Sequence, residues 1–144
     1  MIVLDSYAVI ALLLDEPAAA DVQRLIEGDE GVALTLLGVA EVLDYLVRLA
    51  GAEEDEAALD LAQLRLADPP ALAPDVAVRA GLLRARHYHR RDRAISLADC
   101  VAAETARTLD APLATSDPHL LDTCAAECIA VIALPDSRGE VWAG

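Results

Sequence analysis

Four acidic residues lie at points where an apolar, strand-like segment gives way to a helix, or just inside a helix, and they are spread along the whole chain. They are Asp5, Glu41, Asp99 and Asp117. The strands of a parallel α/β sheet end on a common edge, so side chains placed there can converge although they are distant in sequence. Several carboxylates together are the ligands that a hard divalent cation such as Mg²⁺ or Mn²⁺ prefers. The leading hypothesis from these positions is a metal-dependent hydrolase.

Hydrolysis of a phosphodiester is the chemistry that fits such a cluster. One or two Mg²⁺ ions lower the pKa of a bound water and neutralise the leaving oxygen, so carboxylate ligands suffice and no His or Lys base is required. Each acid also has a purely structural interpretation, since Ser96 and Asp99 match a capping box and Asp117-Pro118 matches an N-cap followed by proline. The two interpretations are compatible, because helix N-termini stabilise carboxylates and also attract phosphate.

The elements that must position these acids are short apolar strands that alternate with helical segments. This alternation indicates a parallel sheet covered by helices on both faces. We expect five strands, the third near Leu72, beyond the break at Pro69-Pro70. The other strands are expected over residues 2–4, 32–36, 113–115 and 129–134, and helices over residues 7–14, 17–28, 39–50, 53–68, 75–91, 97–109 and 118–128. The predicted fold is a single three-layer α/β/α domain over residues 1–134, followed by a tail over residues 135–144.

Length and composition indicate one domain with a sizeable core, since the chain has 144 residues and 56% of them are hydrophobic. No apolar run approaches the roughly 18 residues of a membrane helix. Asp5 interrupts the first apolar run, which argues against a signal peptide. A cytoplasmic protein is therefore expected. The three cysteines form no CxxC pair, and we expect them to be buried, reduced thiols.

The net charge of −14 argues against broad nucleic-acid binding driven by counterion release. It does not argue against a nuclease that holds its substrate in a local groove beside a metal. All 11 basic residues are arginines, and five of them lie between residues 76 and 91, a segment without any acid. Four are candidate RNA contacts, although they could equally belong to a solvated helix face. They are Arg79, Arg84, Arg86 and Arg90.

The order and spacing of the acidic motifs resemble the PIN-domain ribonucleases, and among them the VapC-type toxins of bacterial toxin–antitoxin pairs. The resemblance covers nearly the whole chain. It rests on Asp5-Ser6 after the first strand, Ala40-Glu41-Val42-Leu43, Ser96-Leu97-Ala98-Asp99, and the segment from Leu113 through Asp117 to Leu120. It implies a PIN-like five-stranded sheet in the order 3-2-1-4-5, a homodimer, and an endoribonuclease that uses Mg²⁺ or Mn²⁺. It also implies a cognate antitoxin protein as partner.

The resemblance assigns roles to individual residues. The four catalytic acids of the family are matched by Asp5, Glu41, Asp99 and Asp117. The metal ligands among them are Asp5, Asp99 and Asp117. The small hydroxyl residues that support the site, by holding a metal-bound water, are matched by Ser6 and Thr115. Two positions depart from the family pattern: Tyr7 replaces a small residue and narrows the groove, and His119 replaces an acid that many members carry. Neither departure removes a ligand.

Other functions explain the sequence less well. Receiver and phosphatase-like α/β domains also carry an Asp after the first strand, but those families rely on a lysine, and this chain has none. A nucleotide-binding module is disfavoured because the seven glycines form neither GxGxxG nor a P-loop. The serious alternative is a catalytically inactive PIN-like domain that only binds a partner, and the four intact acids argue against it.

Overall fold

Four short parallel strands form the sheet of this protein, whose computed structural model describes residues 1–144. They are β1 (Ile2–Leu4), β2 (Val32–Leu34), β3 (Leu113–Thr115) and β4 (Val131–Ala133). Their order is β2-β1-β3-β4, and Val3 of β1 lies opposite Ala33 on one side and Leu113 on the other. β1 and β3 are therefore the central strands, and the residues that follow them meet at the middle of the sheet edge.

Helices cover both faces of this sheet. They are α1 (Ser6–Leu13), α2 (Ala19–Glu27), α3 (Leu36–Asp44), which a π-helical turn (Tyr45–Leu49) continues, α4 (Glu54–Gln63), α5 (Pro74–His87), α6 (Leu97–Thr108) and α7 (Pro118–Ala126). Because side chains alternate along a strand, Ile2 and Leu4 enter a core shared with α1, α2 and α3, whereas Val3 enters a core shared with α5, α6 and α7. The predicted parallel sheet between two helical layers is confirmed. None of the helices has both the length and the apolar character that crossing a membrane requires.

The expected third strand near Leu72 does not form, so the prediction of five strands is wrong. The chain does approach the outer edge of β2 after α4, where the backbone N–H of Ala67 donates to the carbonyl of Val32 at 2.8 Å. Pro69 and Pro70 follow, and because proline has no N–H they cannot extend this single bond into a ladder. Leu72 is 41% exposed. The strand order thus differs from the expected 3-2-1-4-5 by the loss of its outermost strand.

Two of the three cysteines are the buried thiols that the sequence predicted. Burial raises the pKa of both Cys100 and Cys124 to about 12, so they pack as small apolar groups. Cys128 is exposed and lies beyond the end of α7, with a positive φ of 56°. The prediction of burial is therefore wrong for Cys128, because the helix ends before reaching it.

The tail over residues 135–144 folds back onto the domain. The carboxylate of Asp136 accepts the backbone N–H of Glu140 at 3.0 Å and closes a turn. Further along, the indole N–H of Trp142 donates to the carboxylate of Asp122 in α7 at 2.9 Å. The tail is thus fastened to α7, the helix that begins beside the sheet edge.

The contact of Trp142 predicts that tryptophan fluorescence reports docking of the tail, since Trp142 is the only tryptophan. In Asp122→Ala the indole loses its acceptor and becomes more exposed to water. We expect its emission to shift to longer wavelength, while the far-ultraviolet circular dichroism stays unchanged. Asp122→Asn keeps a side-chain oxygen at the same position and should emit as the wild type does. An unshifted emission in Asp122→Ala would show that this bond does not hold the tail.

Candidate active site

Three of the predicted acids are positioned by the ends of the central strands and the beginnings of helices. Asp5 directly follows β1, and its backbone N–H donates to the carbonyl of Ala114 at 3.0 Å, so the ladder between β1 and β3 fixes its place. Asp117 follows β3 and is the N-cap residue of α7. Asp99 is the third residue of α6. Each of these acids therefore stands where local sequence signals and strand pairing together determine its position.

Asp5, Asp99 and Asp117 line one cleft of about 390 Å³ at this edge of the sheet. The other residues of its wall are Ser6, Tyr7, Ser116, Pro118, Asp136 and Ser137. The wall holds four aspartates and no basic residue. The structure thus brings together three of the four predicted acids, and it adds a fourth from the tail.

Asp5 is the most buried of these acids, with 6% of its surface exposed. Its Oδ1 accepts the backbone N–H of Tyr7, which caps α1, and its Oδ2 accepts the hydroxyl of Thr115 at 2.5 Å. The Thr115 oxygen in turn accepts the backbone N–H of Asp117 at 3.1 Å. Thr115 is fully buried and therefore links two of the acids from beneath the cleft.

Asp99 and Asp117 each use one carboxylate oxygen as a helix cap. Oδ2 of Asp99 accepts the backbone N–H of Ser96 at 2.8 Å, while the Ser96 hydroxyl accepts the backbone N–H of Asp99 at 3.0 Å. These two bonds complete the predicted capping box. Oδ1 of Asp117 accepts the backbone N–H of His119 at 2.8 Å. Each cap fixes the orientation of its carboxylate. It uses only one of the two carboxylate oxygens.

The pKa values show that negative charge in the cleft is poorly compensated. Burial raises the pKa of Asp5 from 3.8 to about 7; the charges of Asp99 and Asp117 add to this rise, and the hydrogen bonds from Thr115 and Tyr7 oppose it. Burial is also the largest cause of the raised pKa of Asp99, to which the charge of Asp117 contributes. Because neighbouring carboxylates repel one another when ionised, this cluster is stabilised by a proton or by a cation.

Glu41 lies beside the cleft and not in its wall. Its side chain projects from α3, and partial burial raises its pKa, as does the charge of Asp99, whereas a hydrogen bond with Ser6 lowers it. Because Ser6 and Asp99 both line the cleft, Glu41 extends the acidic edge outwards from it.

The donor set of the cleft fits a hard divalent cation by its chemistry. All the side chains concerned offer oxygen, as Mg²⁺ and Mn²⁺ prefer, and no arginine competes with a cation for their charge. As the side chains stand, no three acidic, His or Cys residues lie close enough together to enclose an ion. Among the oxygen donors of the cleft wall are the carboxylates of Asp5, Asp99 and Asp117, the three metal ligands expected from the sequence.

The PIN domain family matches residues 2–126 of this chain. The chain belongs to this family. No curated protein matches the chain in sequence. Several solved structures share the fold over 92% of its length.

One is a toxin–antitoxin complex from Klebsiella pneumoniae, with a TM-score of 0.66, 19% identity and 96% of that chain covered. A second is VapBC2 from Rickettsia felis bound to a DNA fragment from its promoter, with a TM-score of 0.66, 18% identity and 98% of that chain covered. A third is FitAcB from Neisseria gonorrhoeae, with a TM-score of 0.62, 21% identity and 96% of that chain covered.

Two of the four candidate arginines are held in ion pairs away from the cleft of this PIN domain. Arg79 contacts the buried carboxylate of Glu104 at 3.3 Å and the hydroxyl of Thr108 at 2.7 Å. Thr108 ends α6, whereas the cleft lies at the first turn of that helix, about 13 Å away along its axis. Arg86 contacts the carboxylate of Glu127 at 3.3 Å. These guanidinium groups compensate acids elsewhere and are not brought to the cleft.

The other two candidates are Arg84, in the last turn of α5, and Arg90, in the loop that follows this helix. The guanidinium of Arg84 donates to the carbonyl of Ile95 at 2.9 Å and lies 4.2 Å from the ring centroid of Tyr88. Arg84 therefore stabilises the loop that connects the two helices. Arg90, which lies in this loop, is exposed and forms no ion pair. Of the four candidates, Arg90 is the one whose side chain forms neither an ion pair nor a hydrogen bond.

The tail contributes two wall residues that the sequence interpretation missed. Asp136 and Ser137 line the cleft together with the acids of the central strands. A signal for them was present, because the dipeptide Asp136-Ser137 follows the end of β4 after two intervening residues, whereas Asp5-Ser6 follows β1 directly. Treating the last ten residues as a tail hid this similarity.

The raised pKa of Asp5 predicts that the metal-free protein loses stability as the pH rises. The native state binds more protons than the unfolded state between pH 4 and about 7, so the stability present below pH 4 is lost as the pH rises through about 7. By linkage this loss is on the order of 4 kcal/mol at most. We expect urea denaturation in a chelator to give a lower free energy of unfolding at pH 8 than at pH 5.

Asp5→Asn removes the titrating group and should flatten this dependence. Asp60→Asn, on the exposed surface of α4, is the matched control and should retain it. A wild-type protein that is as stable at pH 8 as at pH 5 would contradict the raised pKa of Asp5.

Proposed function

We propose that this PIN domain is a metal-dependent endoribonuclease that hydrolyses RNA phosphodiester bonds. The observation that carries the proposal is the cleft whose wall contains Asp5, Asp99 and Asp117 and no basic residue. A site that uses lysine or histidine as its base would not need three carboxylates in one cleft, where their negative charges repel one another. Membership of the PIN family supports the same reaction class.

Asp5, Asp99 and Asp117 are the residues that would hold Mg²⁺ or Mn²⁺. Such a cation, when bound, supplies positive charge against the phosphate and lowers the pKa of the attacking water. Thr115 keeps Asp5 and the start of α7 in a fixed relation through its two hydrogen bonds. The N-termini of α1, α6 and α7 adjoin these acids, and the positive ends of their helix dipoles favour an anionic substrate.

Glu41 and Ser6 are assigned to the outer edge of the site. Glu41 carries a raised pKa, which suits it to exchange a proton with the attacking water, because a base with a pKa closer to the working pH transfers protons more effectively. The hydroxyl of Ser6 holds the Glu41 carboxylate towards the cleft.

We further propose that the protein is the toxin of a type II toxin–antitoxin pair, acting as a homodimer and inhibited by a cognate antitoxin. This part rests on the likeness to VapBC2 from Rickettsia felis and to the toxin–antitoxin complex from Klebsiella pneumoniae. The alternative is a catalytically inactive PIN-like binding module. The absence of three converged ligands in the present side-chain arrangement is the observation that favours this alternative.

Cleavage of a random-sequence RNA pool tests the enzyme proposal. The wild type should cleave the pool in Mn²⁺ and lose this activity in a chelator. Asp99→Asn should lower the rate by two to three orders of magnitude or so, because it removes a ligand of an ion that contributes several kcal/mol. Asp60→Asn is the control and should cleave at the wild-type rate.

Two results would overturn the enzyme proposal. Undiminished cleavage in the chelator or in Asp99→Asn would exclude the assigned metal site. A folded wild type that binds RNA or a partner protein and leaves the pool intact with Mn²⁺ would establish the inactive binding module. Thermal unfolding monitored by circular dichroism shows whether each variant is folded.

A further inference from the structure

The loop between α5 and α6 contains a compact basic turn, His89–Arg93, which we call the arginine turn. The backbone groups of His89 and Arg93 exchange two hydrogen bonds of 3.0 Å, as in an antiparallel bridge. Nδ1 of His89 accepts the backbone N–H groups of Arg91 at 3.2 Å and Asp92 at 3.1 Å. The turn is therefore closed by its own bonds and presents its tip residues, Arg90 and Arg91, to solvent.

His119 fastens the arginine turn to the cleft. Its ring Nδ1 lies 3.0 Å from the backbone carbonyl of Asp92, and because a carbonyl only accepts, Nδ1 is the donor. The backbone N–H of the same His119 donates to the carboxylate of Asp117 at 2.8 Å. One residue thus contacts both the turn and a wall residue of the cleft.

The chain leaving the arginine turn leads to a second wall residue. Three residues beyond Arg93 lies Ser96, which forms the capping box with Asp99. Arg84 holds the intervening segment by donating to the carbonyl of Ile95 at 2.9 Å. The turn is therefore joined to the cleft at two points, through a hydrogen bond at Asp117 and through the chain at Asp99.

The charge of the arginine turn is unusual in this protein. It contains three arginines against one aspartate, a surplus of two positive charges in a chain whose net charge is −14. The side chains of Arg90 and Arg91 are exposed and form no ion pair or hydrogen bond, although the chain carries 25 acids. Apart from them, Arg65 is the other exposed arginine whose side chain forms neither contact.

We propose that the arginine turn is the phosphate-binding element of this PIN domain, with Arg90 and Arg91 as the contacts and His119 as their positioning residue. The inference rests on the proposed ribonuclease function and adds where the RNA backbone runs, on the Asp117 side of the cleft. An acidic cleft repels a polyanion, so the substrate needs local positive charge next to it. Contacts to phosphate position the strand without reading its sequence.

A histidine at position 119 suits this arrangement better than an acid would. An acid at this place could not donate to the carbonyl of Asp92, and its charge would attract the guanidinium groups away from phosphate. A histidine at the second position of α7 supplies the donor and leaves the cap of Asp117 intact, since that cap uses only its backbone N–H.

Steady-state cleavage of a short labelled RNA, chosen to span a site cleaved in the random-sequence pool, tests the contacts. The double variant Arg90→Ala/Arg91→Ala should raise KM by about tenfold or more at unchanged kcat. Each phosphate contact to a single strand adds about 0.7 to the slope of log affinity against log salt, so the slope of kcat/KM should decrease by about 1.4. Arg65→Ala is the matched control, and both quantities should stay as in the wild type.

Two variants of His119 test the positioning role. Asn carries an N–H group at the same place along the side chain as Nδ1 of His, so His119→Asn should keep the wild-type KM and salt slope. His119→Ala should shift both towards the values of the double arginine variant. In the background of that double variant, His119→Ala should have no further effect, because the two act through one element.

The outcomes separate the two proposals. Absence of pool cleavage by the folded wild type would overturn the ribonuclease function and this inference with it. Cleavage with unchanged KM and salt slope in Arg90→Ala/Arg91→Ala would overturn the arginine turn alone. A loss in the double arginine variant with wild-type behaviour in His119→Ala would overturn the role of His119.

Discussion

The carboxylate of Asp5 is buried at the end of a central strand, although an ionised carboxylate is among the most costly groups to remove from water. Its position is not adjustable, because the ladder between β1 and β3 includes its own backbone N–H. Two hydrogen bonds, from Tyr7 and Thr115, satisfy it in part, and no arginine reaches it. The pKa of about 7 shows that ionising this carboxylate remains costly, and a proton or a cation would offset that cost.

The rest of the charge distribution does not offset this cost. Arg79 and Arg107 are drawn to the buried Glu104, and Arg86 and Arg107 to Glu127, which keeps these guanidinium groups away from the cleft. A guanidinium beside Asp5 would lower its pKa and compete with a divalent cation for the same oxygens. The arginine turn is joined to the cleft without contributing a residue to its wall, so no arginine pairs with the wall carboxylates. The proposed metal site and the proposed phosphate contacts both depend on this separation.

The strand–acid pattern predicted Asp5, Asp99 and Asp117 because local features position them: a strand end for one and helix caps for two. Such features can be recognised from residues within three or four positions, although strand pairing with Ala114 also fixes Asp5. Arg79 also pairs with Asp75 one helical turn earlier, at 3.1 Å, and an i,i+4 pattern could have shown that contact. The other partner of Arg79 and the partner of Arg86 are 25 and 41 residues away, so no helical pattern could reveal those contacts. The missing strand had a local cause in Pro69-Pro70, and the sequence interpretation gave too little weight to two adjacent residues without N–H groups.

If Asp5 is a metal ligand, its proton and a divalent cation must replace each other at this edge of the sheet. Calorimetric titration of Mn²⁺ into the metal-free protein, in buffers of different ionisation enthalpy, measures the protons released on binding. At pH 6 Asp5 is largely protonated, so about one proton should be released per site, and the number should fall towards zero by pH 8.5. Mn²⁺ binding without proton release at pH 6, or release that persists in Asp5→Asn, would contradict this exchange.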